Sequence, residues 1–378
     1  MKPSISKNEV KSYLDFAVSK VIQNKDDFYD YVPAAASVNL VYPKEENIDW
    51  TASFWPGMLY ISSEYLQDGS LDEIIENQMK SFERRLENNV ELNTHDIGFL
   101  YTLTAGAEYR LKRSNRSKQM IKDAADKLMI RYHEKAGIIQ AWGDLNNPDE
   151  RGRMIIDCNM NLPLLYLASQ ITGDVKYFNA AYSHVKQASK YIVRDNYSTY
   201  HTFYMDVETG EPKFGKTAQG YSDNSCWARG QAWGIYGFTL SYRYTGDESL
   251  LQVASHLANY FLDHLPEDKI CYWDLDFTSG PEERDSSAAA IAACGLLALS
   301  KELPETNEKK RYYAEEAIEI VRSLGKNYTT KNESSNGILM HAVYAKPDGK
   351  GIDECNIWGD YFYMEALISL YKSWFPYW

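Results

Sequence analysis

Hydrophobic and small residues recur at helical spacing along the whole chain, in two kinds of segment. Six segments are apolar nearly all round, which is typical of helices that are buried on every side. They span residues 54–66, 97–111, 158–172, 230–244, 285–303 and 358–374. Six amphipathic segments alternate with them, at residues 9–22, 71–86, 117–132, 176–192, 250–262 and 308–324. One apolar face on each of these indicates helices that cover a core.

This alternation predicts an all-α protein with six inner and six outer helices. The natural closure is an (α/α)6 toroid, or barrel, and we expect residues 1–378 to form it as a single domain. An open helical solenoid is the alternative, but a unit spacing of roughly 45 to 75 residues is much longer than its tight repeats. The string Thr-Gly-Asp at 172–174 and again at 245–247 predicts a glycine that ends an inner helix and an aspartate that caps the next outer helix.

The connections between the predicted helices are asymmetric. Links from an inner to an outer helix are short turns, whereas the opposite links are long. The long links cover residues 33–53, 88–96, 134–156, 193–228, 266–284 and 325–357. We expect them to lack regular structure, and long loops of that kind are usually functional. All of them lead into the N-terminal ends of inner helices, so they gather at one mouth of the toroid, where helix dipoles favour an anion.

Composition narrows the function classes. Aromatic residues make up 14% of the chain, with 30 Tyr and 9 Trp, which fits either a large helical core or a cleft in which sugar faces stack on rings. The formal net charge of −13 disfavours nucleic acid and anionic membranes as partners. No apolar run approaches membrane-spanning length.

Cysteine usage predicts a cytoplasmic protein. The five cysteines are odd in number, widely spaced and without a CxxC pair: Cys158, Cys226, Cys271, Cys294 and Cys355. They indicate reduced thiols, with neither a disulfide framework nor a zinc site. We expect no secretory signal within residues 1–31. Because HExxH and phosphate-loop motifs are also missing from the sequence, we predict no metal and no cofactor.

Candidate acids stand at the starts of predicted inner helices. Asp96, Asp157, Asp285 and Asp360 each occupy such a position, and each could simply cap its helix. Asp157 follows an apolar stretch, so its carboxyl group would be partly desolvated, which raises a pKa and suits a proton donor. The four aspartates share the loops with tryptophan and histidine residues, which favours a catalytic cleft. Glycoside hydrolysis generally needs two carboxyl groups, which such a cleft could supply.

Cationic and histidine side chains in the same loops are candidates for substrate binding. Arg229 could bind a carboxylate bidentately, or it could form a structural ion pair with an aspartate. His95 and His201 are the histidines of the mouth loops that stand beside acids and aromatic residues. Either could instead be a satisfied structural histidine.

Several strings make the chain similar to glycoside hydrolase family 88, the unsaturated glucuronyl hydrolases. They are HDIGF (95–99), IIQAWGD (138–144), RMIIDCNMNLPLL (153–165), HTFYMD (201–206), WARGQAWGIYGF (227–238), RDSSAAAIAACGLL (284–297) and IWGDYFYMEAL (357–367). The resemblance runs from Trp50 to the C-terminus. It implies an (α/α)6 toroid, in agreement with the helix pattern.

The resemblance also implies a reaction and roles for residues. The substrate is an oligosaccharide from a polysaccharide lyase, with a C4=C5 double bond in its terminal uronic acid, and the enzyme hydrates this vinyl ether and releases the remaining sugar. Asp157 would be the general acid and base, and Asp96 would contact the ring hydroxyls. Contacts with the sugar are implied for His201 and Gln219, and stacking for Trp50, Trp142 and Trp233.

Two departures from the family pattern concern substrate contacts. Thr94 stands where the family often has a first histidine of a pair, which affects a minor contact. Members that favour sulfated disaccharides carry Ser-x-x-Ser-x-Lys after a tyrosine, but here Ala345 and Asp348 replace the serines and Lys350 is kept. We therefore expect a weak preference for sulfate.

Three alternative functions remain from the sequence. They are an unsaturated rhamnogalacturonyl hydrolase, an inverting glycosidase of saturated glucans and a non-catalytic sugar-binding toroid.

Overall fold

A computed structural model describes residues 5–378 and shows a ring of paired helices. In chain order the α-helices are α1 (Lys7–Asn24), α2 (Phe54–Leu66), α3 (Asp72–Glu87), α4 (Ile97–Tyr101), α5 (Ala107–Lys112), α6 (Asn115–Met129), α7 (Leu162–Thr172), α8 (Val175–Tyr191), α9 (Ala228–Thr245), α10 (Glu248–Asp263), α11 (Ser286–Glu302), α12 (Glu308–Asn327) and α13 (Ile357–Tyr371). Helices α4 and α5 are joined by one π-helical stretch, Thr102–Gly106, into a single inner helix.

The inner helices close into a ring. Helix α2 contacts the π-helical stretch, α4 contacts α7, and α7 contacts α9; α9 then contacts α11, α11 contacts α13, and α13 returns to α2. The outer helices α1, α3, α6, α8, α10 and α12 each pack against this ring. The six inner and six outer helices of the prediction are therefore confirmed, and the open solenoid is wrong.

Local capping explains where several helices end and begin. Gly173 and Gly246 both adopt positive φ angles, 76° and 68°, and end α7 and α9. The carboxylates of Asp174 and Asp247 then accept the backbone N–H groups of Lys176 and Ser249 at the starts of α8 and α10. Glycine adopts the left-handed conformation without a steric cost, which is why the Thr-Gly-Asp string works at both places.

The third inner helix begins later than the pattern predicted. Residues Ile156–Met160 form a 3-10 helix, and α7 starts only at Leu162. Two glycines on neighbouring inner helices hold this 3-10 segment. A Cβ atom on Gly98 would lie 2.3 Å from Cα of Asn161, and one on Gly237 would lie 2.4 Å from Cβ of Asn159. Only glycine permits this close approach, which fixes the backbone that directly follows Asp157.

The long loops are not structureless, contrary to the prediction. In chain order they contain the short strands β1 (Val32–Pro33), β2 (Lys44–Glu45), β3 (Tyr132–His133), β4 (Ile138–Ile139), β5 (Arg153–Ile155), β6 (Thr202–Met205), β7 (Pro212–Lys216), β8 (Ala342–Ala345) and β9 (Lys350–Glu354). All pairings are antiparallel, and the largest sheet has the order β5-β6-β7. Backbone pairing between distant loops stiffens the mouth and satisfies polar groups that a buried loop would leave open.

Among the described residues, we find no helix with the length and the apolar character that crossing a bilayer requires.

Candidate active site

A cavity of about 330 Å³ opens at the mouth formed by the long loops. It is lined by Ile48, Asp49, Trp50, Glu91, Asn93, Thr94, Asp96, Trp142, Asp157, Gln219, Trp227, Arg229, Trp233 and Tyr344. Seven of the ten predicted site residues are in this lining: Trp50, Asp96, Trp142, Asp157, Gln219, Arg229 and Trp233. The aromatic and acidic lining suits a small polar ligand with flat apolar faces.

Two carboxyl groups meet around one histidine at the floor of this cavity. Asp157 stands in the 3-10 segment after β5, and Asp96 directly precedes α4. The Nε2 atom of His95 lies 3.3 Å from Oδ1 of Asp157 and 3.4 Å from Oδ1 of Asp96. His95 is only 1% exposed. The helix pair α4 and α7 thus brings together residues that are about sixty positions apart in sequence.

The surroundings of the two carboxyl groups differ. Oδ2 of Asp96 accepts a hydrogen bond of 2.7 Å from the hydroxyl of Thr94. Oδ1 of Asp157, in contrast, is buried and has no hydrogen-bond partner among the described residues. A hydrogen bond stabilises the ionised form of a carboxyl group, whereas burial without one favours the protonated form.

The resulting pKa shifts separate the two acids. Burial, reinforced by the charge of Asp96, raises the pKa of Asp157 well above its usual range. Burial also raises the pKa of Asp96, to about 6, where the hydrogen bond from Thr94 opposes the rise. Burial lowers the pKa of His95 to about 3, so its imidazole is neutral. When the pair holds one proton, that proton therefore resides on Asp157.

The four aspartates at helix starts divide into two groups. Asp285 caps α11, because its Oδ1 accepts the backbone N–H groups of Ser287 and Ala288. Asp360 accepts two backbone N–H groups and the hydroxyl of Tyr42. Asp96 and Asp157 cap no helix with their side chains. Of these four aspartates, only Asp285 caps its helix as that interpretation predicted. Asp360 instead accepts hydrogen bonds from outside its helix, so its role is also structural.

The guanidinium of Arg229 is buried, and both of its terminal nitrogens already have partners. Nη1 lies 3.3 Å from Oδ2 of Asp285 and donates to the carbonyl of Val343 at 2.6 Å. Nη2 donates to Oε1 of Gln219 at 2.5 Å and to the carbonyl of Tyr344 at 2.6 Å. The structural ion pair with an aspartate, which the sequence left as an alternative, is therefore present. Arg229 also lines the cavity. A role in binding a substrate carboxylate stays a prediction.

His201 lies behind the cavity wall with one ring nitrogen free. Its Nδ1 accepts the backbone N–H groups of Ala218 and Gln219, at 2.9 and 3.1 Å, which assigns the proton to Nε2. The ring packs between the indoles of Trp142 and Trp227. No described residue bonds to Nε2, so this N–H is available as a donor.

The predicted stacking residues are held by further aromatic contacts. Trp50 stacks on Trp358 with 5.4 Å between ring centroids, and its Nε1 donates to the hydroxyl of Tyr344 at 3.0 Å. The guanidinium of Arg153 lies 5.0 Å from the ring centre of Trp142. Trp233 is buried against Phe99. These contacts orient each ring before any ligand binds, which lowers the entropy cost of binding.

Lys350 is the predicted site residue that lies farthest from this arrangement. It is exposed at the start of β9, pairs with Ala345 across the β8–β9 hairpin and does not line the cavity. The neighbouring Lys346 is bound by Glu282 at 2.8 Å and also by Glu283. The role predicted for Lys350 in substrate binding stays a prediction.

Sequence reasoning missed Arg131, although it connects two of the mouth loops. Its buried guanidinium donates to the carbonyls of Gln140 and Gly143, each at 2.9 Å, and to the side chain of Asn93. No described carboxylate forms an ion pair with it. Its charge opposes the rise in the pKa of Asp96. Because Arg131 lies at the end of an outer helix, no motif signals its importance.

His95, Asp96 and Asp157 are also the described residues best placed to hold a metal ion. Their ligand atoms all lie within 4.8 Å of one another. Two carboxylates and an imidazole are suitable ligands for zinc and similar ions. A cation bound there would displace the proton that burial places on Asp157.

Comparison with known proteins agrees with this arrangement. Residues 24–270 match the family model of Glycosyl Hydrolase Family 88. An unsaturated chondroitin disaccharide hydrolase of Streptococcus pneumoniae is 45% identical over 378 residues, which is 100% of this chain and 95% of that protein. The crystal structure of unsaturated glucuronyl hydrolase from Streptococcus agalactiae superposes with a TM-score of 0.97 at 44% identity, covering 100% and 95% of the two chains. An Asp-to-Asn mutant of that enzyme, complexed with dGlcA-GalNAc6S, gives a TM-score of 0.89 at 42% identity with the same coverage.

Proposed function

The chain belongs to glycosyl hydrolase family 88, and we propose that it is an unsaturated glucuronyl hydrolase in which Asp157 supplies the proton. It hydrates the C4=C5 double bond of the unsaturated uronic acid at one end of a lyase-generated, glycosaminoglycan-type oligosaccharide. The observation that carries this proposal is that Asp157 and Asp96 lie together in one cavity lining, where burial and the charge of Asp96 raise the pKa of Asp157.

The first step is protonation of an electron-rich alkene. Asp157 donates its proton to C4, and the π electrons of the double bond form the new C–H bond. Positive charge then develops at C5 and on the ring oxygen, as in an oxocarbenium ion. The ionised carboxylate of Asp96 stabilises this charge across the buried floor. A carboxylic acid that is still protonated near neutral pH is what such a step requires.

Water completes the reaction. Asp157, now ionised, accepts a proton from a water molecule whose oxygen adds to C5, which regenerates the acid. The product is a hemiketal at C5, and its ring opens with release of the remaining sugar. The reaction written in this way consumes only water and needs no electron acceptor or metal ion.

The lining residues supply the contacts that hold the sugar. Trp50, Trp142 and Trp233 offer ring faces to the apolar side of the uronate. The amide of Gln219 is a donor for its oxygens, whereas His201 lies behind the lining, so a contact between its Nε2–H and the sugar stays a prediction. Since Nη1 and Nη2 of Arg229 already have partners, we expect this residue to attract the substrate carboxylate mainly through its charge.

The loop that follows Tyr344 supports a weak preference for sulfate. Ala345 and Asp348 offer no hydroxyl donor, and Asp348 adds a negative charge. Lys346 is bound by two glutamates. Lys350 is exposed and forms no ion pair within the described residues 5–378.

Location and partners follow from the same features. All five cysteines are free and buried, which supports a reducing compartment, so we propose a cytoplasmic enzyme acting as one domain. The net charge of −13 argues against nucleic acid and anionic membranes as partners.

A substrate panel tests the proposal. The protein is incubated with unsaturated chondroitin disaccharides, unsaturated rhamnogalacturonan disaccharides and saturated glucans, and the near-ultraviolet absorbance of the conjugated alkene is followed with product analysis. The proposal predicts loss of absorbance and release of the partner sugar from the chondroitin disaccharides. Turnover of the pectin fragments alone would establish the rhamnogalacturonyl alternative, and turnover of the saturated glucans would refute hydration. A protein that binds all of these without turnover would be a sugar-binding toroid.

A further inference from the structure

The segment that follows α13, residues 372–378, crosses the end of the ring opposite the mouth. Nε1 of Trp374 and the hydroxyl of Tyr377 both donate to Glu64, near the C-terminal end of α2, at 3.0 and 2.5 Å. Nε of Arg110, near the C-terminal end of α5, donates to the carbonyl of Tyr377 at 2.9 Å. Because the mouth lies at the N-terminal ends of the inner helices, this segment covers the other end.

The side chain of Trp378 enters the interior of the ring from this segment. It is 0% exposed, and its indole stacks on Phe362 with 5.7 Å between ring centroids and 8° between ring planes. Its Nε1 donates to the buried carboxyl group of Glu365 at 2.8 Å. Glu365 also accepts the hydroxyl groups of Tyr236 and Tyr361, at 2.5 and 2.7 Å. A buried indole N–H needs such an acceptor, so both the ring plane and the N–H of Trp378 are fixed.

Two aromatic rings connect Trp378 to the cavity lining. The ring of Phe99 lies 5.8 Å from Trp378 on one side, and on the other it lies 5.5 Å from Trp50 and 5.3 Å from Trp233. Phe362, on which Trp378 stacks, lies 5.3 Å from Trp233. Trp50 and Trp233 both line the cavity, so each contacts a ring that Trp378 contacts. Close packing of this kind transmits a displacement from one ring to the next.

The backbone near Asp96 is held independently of Trp378. The backbone N–H of Phe99 donates to Oδ1 of Asn161 at 2.7 Å, and Gly98 packs against the backbone of the same asparagine. Removal of Trp378 would therefore release the ring of Phe99 but leave the start of α4 in place. The acids should keep their positions while the tryptophan rings of the lining lose their support.

We propose that Trp378 is a positioning residue for substrate binding, an inference that rests on the proposed function. Trp378 does not line the cavity. It holds the rings of Phe99 and Phe362 against Trp50 and Trp233, so that the faces of these two tryptophans keep the orientation in which a sugar stacks on them. Side chains that are ordered before binding lose less entropy when the ligand arrives. Trp378 thus increases the affinity for the sugar and takes no part in proton transfer.

Steady-state kinetics of two alanine variants test this role. Both kcat and KM for an unsaturated chondroitin disaccharide are measured at a temperature at which circular dichroism shows each variant folded. In Trp378→Ala we expect KM to rise about tenfold, a coupling typical of residues in contact. We expect kcat to stay close to the wild-type value, because only uniform binding is lost. The matched control is Trp374→Ala, which removes an equal side chain from the same segment; this indole packs on Tyr377, and KM should not change.

Added indole separates positioning from a general loss of stability. Trp378→Ala leaves a space for one indole ring beside Glu365, and buried apolar cavities bind small aromatic molecules. Indole should therefore return KM of Trp378→Ala towards the wild-type value, and it should not alter KM of wild type or of Trp374→Ala. Should Trp378→Ala fail to fold, Trp378→Leu keeps much of the apolar volume without the flat ring, and its KM should rise at least about threefold.

The remaining outcomes decide against the role or separate it from the proposed function. An unchanged KM in the folded Trp378 variant, equal rises in the Trp378 and Trp374 variants, or a raised KM that indole leaves unchanged would overturn the proposal. Should wild type fail to turn over the disaccharide, the proposed reaction fails. Dissociation constants of the disaccharide for Asp157→Asn, with and without Trp378→Ala, then decide whether Trp378 positions the binding site.

Discussion

The Nε2 atom of His95 lies 3.3 Å from the carboxyl oxygen Oδ1 of Asp157, inside a site where burial keeps the imidazole neutral. A neutral imidazole adds no positive charge that would lower the pKa of Asp157. The nearby charge of Asp96 and the burial of Asp157 therefore both favour the protonated acid. This combination supports the proposal that the carboxyl group of Asp157 is the proton donor.

The first prediction concerns the pH dependence of kcat/KM, which should be bell-shaped. Asp96 must be ionised, and its pKa is about 6, so activity should fall as the pH drops through this value. Asp157 must be protonated, and its pKa is raised, so activity should fall again as the pH rises through that pKa. Steady-state rates across the pH range check both limbs. A profile that rises continuously towards alkaline pH would contradict the assignment.

Asp96→Asn should change that profile in a defined way. The substitution removes the negative charge that helps to raise the pKa of Asp157, so the alkaline limb should move to lower pH. The acid limb should disappear, and kcat should fall about 10²-fold or more, since a charge-stabilising group is lost. Folding is checked by circular dichroism. Retention of the acid limb in this variant would assign it to another group.

Thr94 should affect the acid limb of the pH profile through the pKa of Asp96. Its hydroxyl donates to Asp96 at 2.7 Å and thereby stabilises the carboxylate. Thr94→Val removes this bond, so the pKa of Asp96 should rise and the acid limb should move to higher pH. The matched variant Thr94→Ser keeps the hydroxyl and should keep the wild-type limb. Identical profiles for the valine and serine variants would show that the bond has no effect on Asp96.

Arg131 should act as a positioning residue for two mouth loops. Arg131→Met leaves the carbonyls of Gln140 and Gly143 without a donor, so we expect KM to rise and the free energy of unfolding to fall by about 2–4 kcal/mol. The loss of positive charge should also move the acid limb to higher pH. Arg131→Lys keeps the positive charge but loses the paired N–H donors of the guanidinium. The acid limb of the pH profile should therefore return to its wild-type position, while KM stays high. Urea unfolding and pH profiles of both variants test this.

Sulfate should give little advantage to a disaccharide substrate. The family resemblance implies serine hydroxyl donors at positions 345 and 348, where this chain has Ala345 and Asp348, and Lys350 is exposed. We expect kcat/KM for 6-sulfated and unsulfated unsaturated chondroitin disaccharides to agree within about tenfold, the effect of 1.4 kcal/mol. Ala345→Ser combined with Asp348→Ser should increase the preference for sulfate. A large sulfated preference in wild type would contradict the prediction.

The fold could be predicted because its signals are local. The apolar periodicity of each helix and the Thr-Gly-Asp strings depend on neighbouring residues alone. The 3-10 segment before α7 depends instead on a distant contact, the approach of Gly98 to Asn161, which no local pattern reveals. Strand β5 was missed for the same reason, because it pairs with β6, some fifty residues away.

The candidate site was predictable where a residue acts by its own position and unpredictable where it acts through a partner. Asp96 and Asp157 follow from their place at the mouth and from the family resemblance. The ion pair joins Arg229 in α9 to Asp285 before α11, and the hydrogen bonds of Arg131 join two mouth loops. Their pairing exists only once the ring has closed. The roles of the site residues stay predictions, and so does the single-domain organisation.

Replacement of Asp157 tests the central claim most directly. Wild type and Asp157→Asn are compared by the initial rate at which an unsaturated chondroitin disaccharide loses its near-ultraviolet absorbance, in buffer with EDTA, after titration shows similar disaccharide affinity. The account predicts rapid loss with wild type and a rate at least about 10²-fold lower with the variant, the usual contribution of a general acid. A variant that retained the wild-type rate would show that the proton comes from elsewhere.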